Sequence, residues 1–154
     1  AAGIGILGDE QRRITELLTE IPDERLENLS REDYEKHLGR ESPAQKLWDL
    51  LCRNHTGDKK WGIGSTTASK IMARKRPHLI PIQDSVVDEV IDRNKLNAWE
   101  LWWQAFRDNE ELADRAEKFR QYIDGAKVTR PQLSTLRIFD VVLWMHGRRQ
   151  RQQK

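Results

Sequence analysis

Lys59-Lys60-Trp61-Gly62-Ile63-Gly64-Ser65-Thr66-Thr67-Ala68 is the stretch on which the reading of this chain turns. Two glycines flank one aliphatic residue, a pattern that allows a tight turn with positive φ and leaves backbone N–H groups uncovered by side chains. A helix from about Ser65 to Arg74 is expected directly after it, so the free amides and the helix dipole converge on one place. That junction suits a phosphate. Ile63 is placed to plug the apolar space between the flanking helices, and Ala68 is small enough to let them approach. Ser65, Thr66 and Thr67 can cap the helix and donate to phosphate oxygens. No Gly-Lys-Ser/Thr follows, which argues against a nucleotide P-loop, and no strand precedes, which argues against a dinucleotide fold. An ordinary helix–helix turn would use the same two glycines and is the competing explanation.

Charge distribution sharpens the choice. The net charge is only +2, but residues 59–83 carry six basic side chains (Lys59, Lys60, Lys70, Arg74, Lys75, Arg76) and no acid. Residues 1–58 hold 8 basic and 13 acidic side chains, and residues 84–145 hold 9 and 12. The last nine residues add Arg148, Arg149, Arg151 and Lys154, again without an acid. A basic stripe on an acidic body is an electrostatic footprint for phosphate. A solvated charged face explains the tail equally well.

Outward from the hairpin, nearly every periodic segment reads as helix. Helices are expected over Asp9–Thr19, Asp23–Leu29, Arg31–Leu38 (ended by Gly39), Ser42–His55 with Ser42 as cap and Pro43 in the first turn, and Asp84–Arg93. Further ones are expected over Asn97–Phe106, Glu110–Tyr122 and Gln132–His146. The last is the most apolar through Leu136, Phe139, Val142, Leu143 and Met145. Arg76-Pro77 forces extended chain through Ile80-Pro81-Ile82. The expected fold is all-α, a bundle of about eight or nine helices. At 154 residues with 37% hydrophobic content and six Trp, the chain can bury one core. Trp99, Trp102 and Trp103 share a helix with Phe106 and read as core rather than as a base-stacking wall. Trp61, beside two lysines, is the better aromatic for contact with nucleic acid. The lone Cys52 excludes an internal disulfide and reads as a buried thiol. No run is long enough to cross a membrane and Ala1–Gly8 lacks the features of a signal peptide, so a cytoplasmic protein is expected. His55, His78 and His146 are too isolated for a metal site.

The order of these features resembles the helix-hairpin-helix DNA glycosylase superfamily, the endonuclease III-like fold. Its hairpin has the form Gly-Val-Gly-x-x-Thr-Ala, as in Gly62-Ile63-Gly64-Ser65-Thr66-Thr67-Ala68 here. A proline-containing connector follows, then an Asp at a helix start, similar to Ile82-Gln83-Asp84-Ser85-Val86-Val87, 22 residues after Gly62. Val142-Leu143-Trp144-Met145-His146-Gly147-Arg148 resembles a late helix ending in His-Gly-Arg. The likeness spans roughly residues 43–149. The chain also resembles a group of uncharacterised bacterial proteins with a glycine hairpin, an Ala-Arg-Lys-Arg-Pro stretch and an Asp-x-Val-Val segment. The resemblance implies a single domain, with an N-terminal helical part at 1–41, a hairpin-containing core at 42–149 and a basic tail at 150–154.

It also implies function. DNA would be held by Lys59, Lys60, Trp61, Gly62, Ile63, Gly64, Ser65, Thr66 and Lys70, and Asp84 would stabilise charge developing on the sugar as a flipped base is cut away. Asp84 equally suits a helix N-cap, and the two roles are compatible. The lyase lysine of bifunctional members is replaced by Thr66, and no four-cysteine cluster follows the last helix. A monofunctional N-glycosylase without lyase chemistry is therefore the first expectation. A non-catalytic DNA-binding module is the second, and a protein-interaction domain meeting an acidic partner is the third. No metal or cofactor is implied beyond a monovalent cation on the hairpin.

Overall fold

The computed structural model describes residues 2–8, 10–53, 60–91, 97–125 and 133–153, and everything below concerns those residues. They are all-α, as the periodicity predicts. In chain order the helices are α1 (Ala2–Leu7), α2 (Gln11–Glu20), α3 (Arg31–Leu38), α4 (Pro43–Cys52), α5 (Ser65–Lys75), α6 (Ser85–Val90), α7 (Ala98–Asp108), α8 (Glu111–Gly125) and α9 (Thr135–Gln152). Only seven of these reach eight residues, slightly below the expected count of about eight or nine helices. α1 and α6 are short turns of helix, and the expected Asp23–Leu29 helix is a 3-10 turn at Leu26–Asn28.

Local chemistry sets most boundaries. Ser30, Ser42, Asn97 and Ser134 each accept a backbone N–H from the residue three positions on, so α3, α4, α7 and α9 begin where their caps sit. Pro43 opens α4 at the position where a missing N–H costs nothing. α4 stops at Cys52 rather than His55, because Arg53 takes a left-handed conformation with φ 56° and folds its N–H back to Asp49 and Leu50. His55 and the Thr56-Gly57-Asp58 breaker lie outside the described residues.

One core joins these helices. Leu26, Leu38, Leu47, Leu51, Met72, Leu79 and Ile80 are 0–1% exposed. Trp99, Trp102 and Trp103 belong to the same cluster, as their spacing predicts. Trp103 donates its indole N–H to Leu29 O at 3.0 Å, and Trp99 meets Trp48 edge-on at 5.7 Å. Burial removes all three from any stacking on a base. Cys52 is half-buried rather than buried, and its desolvation pushes the thiol above its ordinary range.

The late helix departs from expectation. α9 runs to Gln152, so the basic tail assigned to 150–154 is largely its last turn. Val142 and Met145, read as core, are 45% and 48% exposed. The first half of α9 lies on the body through Leu136, Phe139 and Leu143, while its second half meets α6. At that crossing Gly147 is buried, and a Cβ there would stand 2.7 Å from Val86 Cγ1 and 2.8 Å from Val90 Cγ2. Gly147→Ala should therefore lower stability by about 1–3 kcal/mol through overpacking, reversing the sign of the gain of about 1 kcal/mol that Ala normally brings to a helix interior. Denaturant midpoints of the two proteins test this. A stabilised Ala variant would mean that α6 and α9 are not in contact at this point.

Candidate nucleic-acid interface

The hairpin stands at the start of α5 with its glycine edge open. Gly62 has φ +76°, the left-handed region, and a Cβ there would meet nothing within 4 Å. Gly64 also faces open space, but its φ is −93°, so only the first of the two glycines supplies the expected positive φ. Gly64 caps α5 without a side chain, and the first helical bond runs from Ala68 N–H to Gly64 O at 2.9 Å. The amides of Ser65, Thr66 and Thr67 precede that bond, and no acid occupies the first turn. This end of α5 thus offers backbone donors and the positive end of a helix dipole beside two glycines that face open space among the described residues.

Side chains around it divide by role. Ile63 is half-buried against the core and acts as the expected plug. Trp61 is half-buried with the Arg53 guanidinium 4.7 Å from its ring centre, so it anchors the hairpin to the end of α4. Lys60, Ser65, Thr67 and Lys70 are exposed and Thr66 is half-buried. Lys59 lies outside the described residues. One member of the sequence-defined stripe is not available as a free cation. Arg76 donates Nε to Ile21 O at 2.7 Å and Nη2 to Leu18 O, closing the C-terminal end of α2. Arg74 and Lys75 remain exposed.

Asp84 is brought to α5 by a residue that sequence reading missed. Ser69 is fully buried; its hydroxyl donates to Thr66 O at 2.9 Å and accepts Gln83 N–H at 2.9 Å. That bond holds the extended connector on the hairpin helix immediately before Asp84. The Asp84 carboxylate is half-buried and accepts Val86 N–H at 2.9 Å, the N-cap role expected for it. Asp140 on α9 lies within electrostatic reach of both Asp84 and Lys70, and it pairs with Arg137. Burial raises the Asp140 carboxyl above the ordinary range; Arg137 and Lys70 oppose that and the charge of Asp84 adds to it. An acid inside an apolar helical run with Arg three residues earlier is the one sequence signal that could have revealed it.

One cavity lies beside α5 and another elsewhere on the body, and Asp84 lines neither. The first, about 630 Å³, is walled by α5, the connector and the start of α9. The second, about 610 Å³, lies between α3, α4 and α7, with Arg31, Tyr34, Glu35 and Glu100 among its walls. Among the described residues no cluster of three or more His, Cys, Asp or Glu could hold a metal ion. None of their helices is long and apolar enough to cross a membrane.

Residues 1–147 match the model of DUF6308, a family of unknown function. The chain belongs to that family. No curated protein and no solved structure matches it. In this DUF6308 chain the matched span takes in the hairpin, the Ser69 bridge, Asp84, Asp140 and Gly147, leaving only the end of α9 beyond it.

Asp140 gives the site a pH signature. Its carboxyl is raised on folding, so the stability tied to its proton is present at low pH and lost as pH climbs from the ordinary carboxylate range through the folded value. Asp140→Asn should flatten that loss. The difference in unfolding free energy, variant minus native, should grow more positive between pH 4 and pH 7, and a difference that falls with pH would contradict the assignment. Ser69→Ala should cost about 1–3 kcal/mol by stranding the Gln83 amide, measurable in the same titrations.

Proposed function

We propose that the protein binds a DNA backbone through the hairpin Trp61–Gly64 and the first turns of α5. The observation that carries this reading is the uncovered glycine edge at a helix N-terminus without an acid in its first turn, with exposed Lys60 beside it, exposed Lys70 in the next turn, and Arg74 and Lys75 exposed at the far end of the same helix. Backbone amides and a helix dipole favour a phosphate whatever base it carries. Recognition of this kind is tolerant of sequence and strongly dependent on salt. The resemblance to helix-hairpin-helix glycosylases points the same way.

Gly64 provides a clean probe. A Cβ there meets no described neighbour within 4 Å and needs no unusual φ, so Gly64→Val should cost about 1 kcal/mol of capping preference while leaving the fold intact. It should nonetheless weaken binding of a labelled duplex about tenfold by standing between phosphate and amides. The log–log salt slope of the native protein should be about −3 to −5, and Lys60→Glu or Lys70→Glu should make it shallower by about one unit each. Fluorescence anisotropy across a salt series measures both quantities. Affinity that ignores salt, or a folded Gly64→Val protein that binds as well as the native one, would remove the proposal.

A second reading, hydrolysis of a base–sugar bond with Asp84, is favoured by the Ser69–Gln83 bond that keeps Asp84 beside the hairpin helix. Thr66 in place of a nucleophilic lysine leaves no lyase step in it. Asp84→Asn retains a good N-cap and removes the charge, which separates capping from chemistry. On this reading, duplexes carrying base lesions break after alkali in the presence of the native protein and stay intact with Asp84→Asn. A broad lesion panel left unbroken by the native protein would leave binding without chemistry.

A further inference from the structure

The larger cavity stands beside the hairpin but is built for something other than a DNA backbone. Its walls are aliphatic: Ile71 and Ala73 of α5, Pro77, Ile80 and Ile82 of the connector, and Leu133 and Leu136 at the start of α9. Its remaining lining residues are Thr67, Ser134 and three cations, Lys70, Arg74 and Arg137. Among the described residues no carboxylate and no aromatic ring lines it. Without a ring the cleft lacks the aromatic platform on which a nucleobase ordinarily stacks, and Arg137, one of its two guanidiniums, is already paired with Asp140.

The charged residues that line the cleft among those described are all basic. Lys70 and Arg74 are exposed, and Arg137 keeps part of its guanidinium in solvent while it pairs with Asp140. The N-terminus of α9, 18 residues long and with no acid in its first turn, contributes the positive end of its dipole at Ser134. A volume of about 630 Å³ falls within the range that encloses small ligands.

We infer that this cleft binds a free aliphatic anion, an alkyl or acyl chain carrying a carboxylate or phosphate, with the chain along Ile71, Ile80, Ile82 and Leu136 and the head group among Lys70, Arg74 and Arg137. The assignment does not rest on the DNA reading; it stands on the walls and the rim. Lys70 and Arg74 would serve both ligands, so an occupied cleft would weaken the grip on DNA.

The experiment is isothermal titration of the full chain with hexanoate, octanoate and decanoate, each below its micelle-forming concentration. Octyl phosphate, octyltrimethylammonium and inorganic phosphate are run beside them. Affinity should rise by up to about fourfold per added methylene, the factor for burying one CH₂. Octyl phosphate should bind at least as well as octanoate, and octyltrimethylammonium and inorganic phosphate at least tenfold more weakly. The Lys70→Glu/Arg74→Glu double variant should lose at least tenfold in octanoate affinity. Ala73→Met, which narrows the cleft, should lose decanoate before hexanoate. Trp144→Ser on the exposed face of α9 should bind as the native protein does. Equal affinity for the cationic amphiphile, no dependence on chain length, or loss of binding in Trp144→Ser but not in the double variant would overturn the assignment. So would uptake confined to vesicles of anionic phospholipid, with no binding of the monomeric acids. Failure here leaves the salt and Gly64→Val measurements on DNA untouched.

Discussion

The buried hydroxyl of Ser69 carries more of this structure than its size suggests. It lies one turn into α5 and bonds both ways, outward to Thr66 O and across to Gln83 N–H. Without it the connector after Pro77 would bury an amide with no acceptor, which folded proteins rarely tolerate. With it the connector is fixed against α5 over fully buried Leu79 and Ile80. Three consequences follow from that one fixed segment. Asp84 starts α6 at a defined place, α6 presents Val86 and Val90 to α9, and Ile80 and Ile82 become a wall of the larger cavity. The hairpin helix is thus the reference element for everything downstream of it.

Electrostatics on this frame is less uniform than a count of charges implies. Six cations lie close together in sequence, yet they do different jobs in space. Arg76 turns inward to close the carbonyl end of α2, which ties the N-terminal helices to α5. Lys70 and Arg74 project together along the rim of the aliphatic cleft, and Lys60 stands by the hairpin. Opposite signs meet behind them, where Asp84 and Asp140 share the neighbourhood of Lys70 and Arg137. Burial of Asp140 makes its charge responsive to these neighbours in a way that the charge of an exposed surface acid is not.

Much of the fold was legible in the sequence for reasons that are local. Arg31–Leu38 and the capped start of α4 depend on Ser30, Ser42, Pro43 and Gly39, all within a few residues of the boundary they set. The tryptophans of α7 followed from spacing alone, and the N-cap role of Asp84 from an Asp standing directly before a helical run. What escaped was long-range. Nothing near Ser69 in sequence announces Gln83 as its partner, and nothing near Arg76 announces Leu18 and Ile21. The exposure of Val142 and Met145 depends on which face α9 turns to the core and to α6, which an apolar periodicity cannot report. The arrested end of α4 at Arg53 depends on a left-handed residue of a type that seldom adopts it. In the candidate site the hairpin glycines, Ile63 and Lys70 were readable, while Asp140, Ser69 and the cleft required the tertiary structure.

The missing side chain at Gly147 has a bearing on how this family can diverge. Residues 86, 90 and 147 share one fixed volume where two helices cross, so their sizes are conjugate quantities. A relative that carries a larger residue at the position of Gly147 has room for it only if the valine positions shrink or the helices separate. Separation would swing α9 outward, and with it Leu133, Leu136 and Arg137 on the far side of the cleft. Variation at one small residue near the end of α9 would in that way reset the width of an opening beside its start.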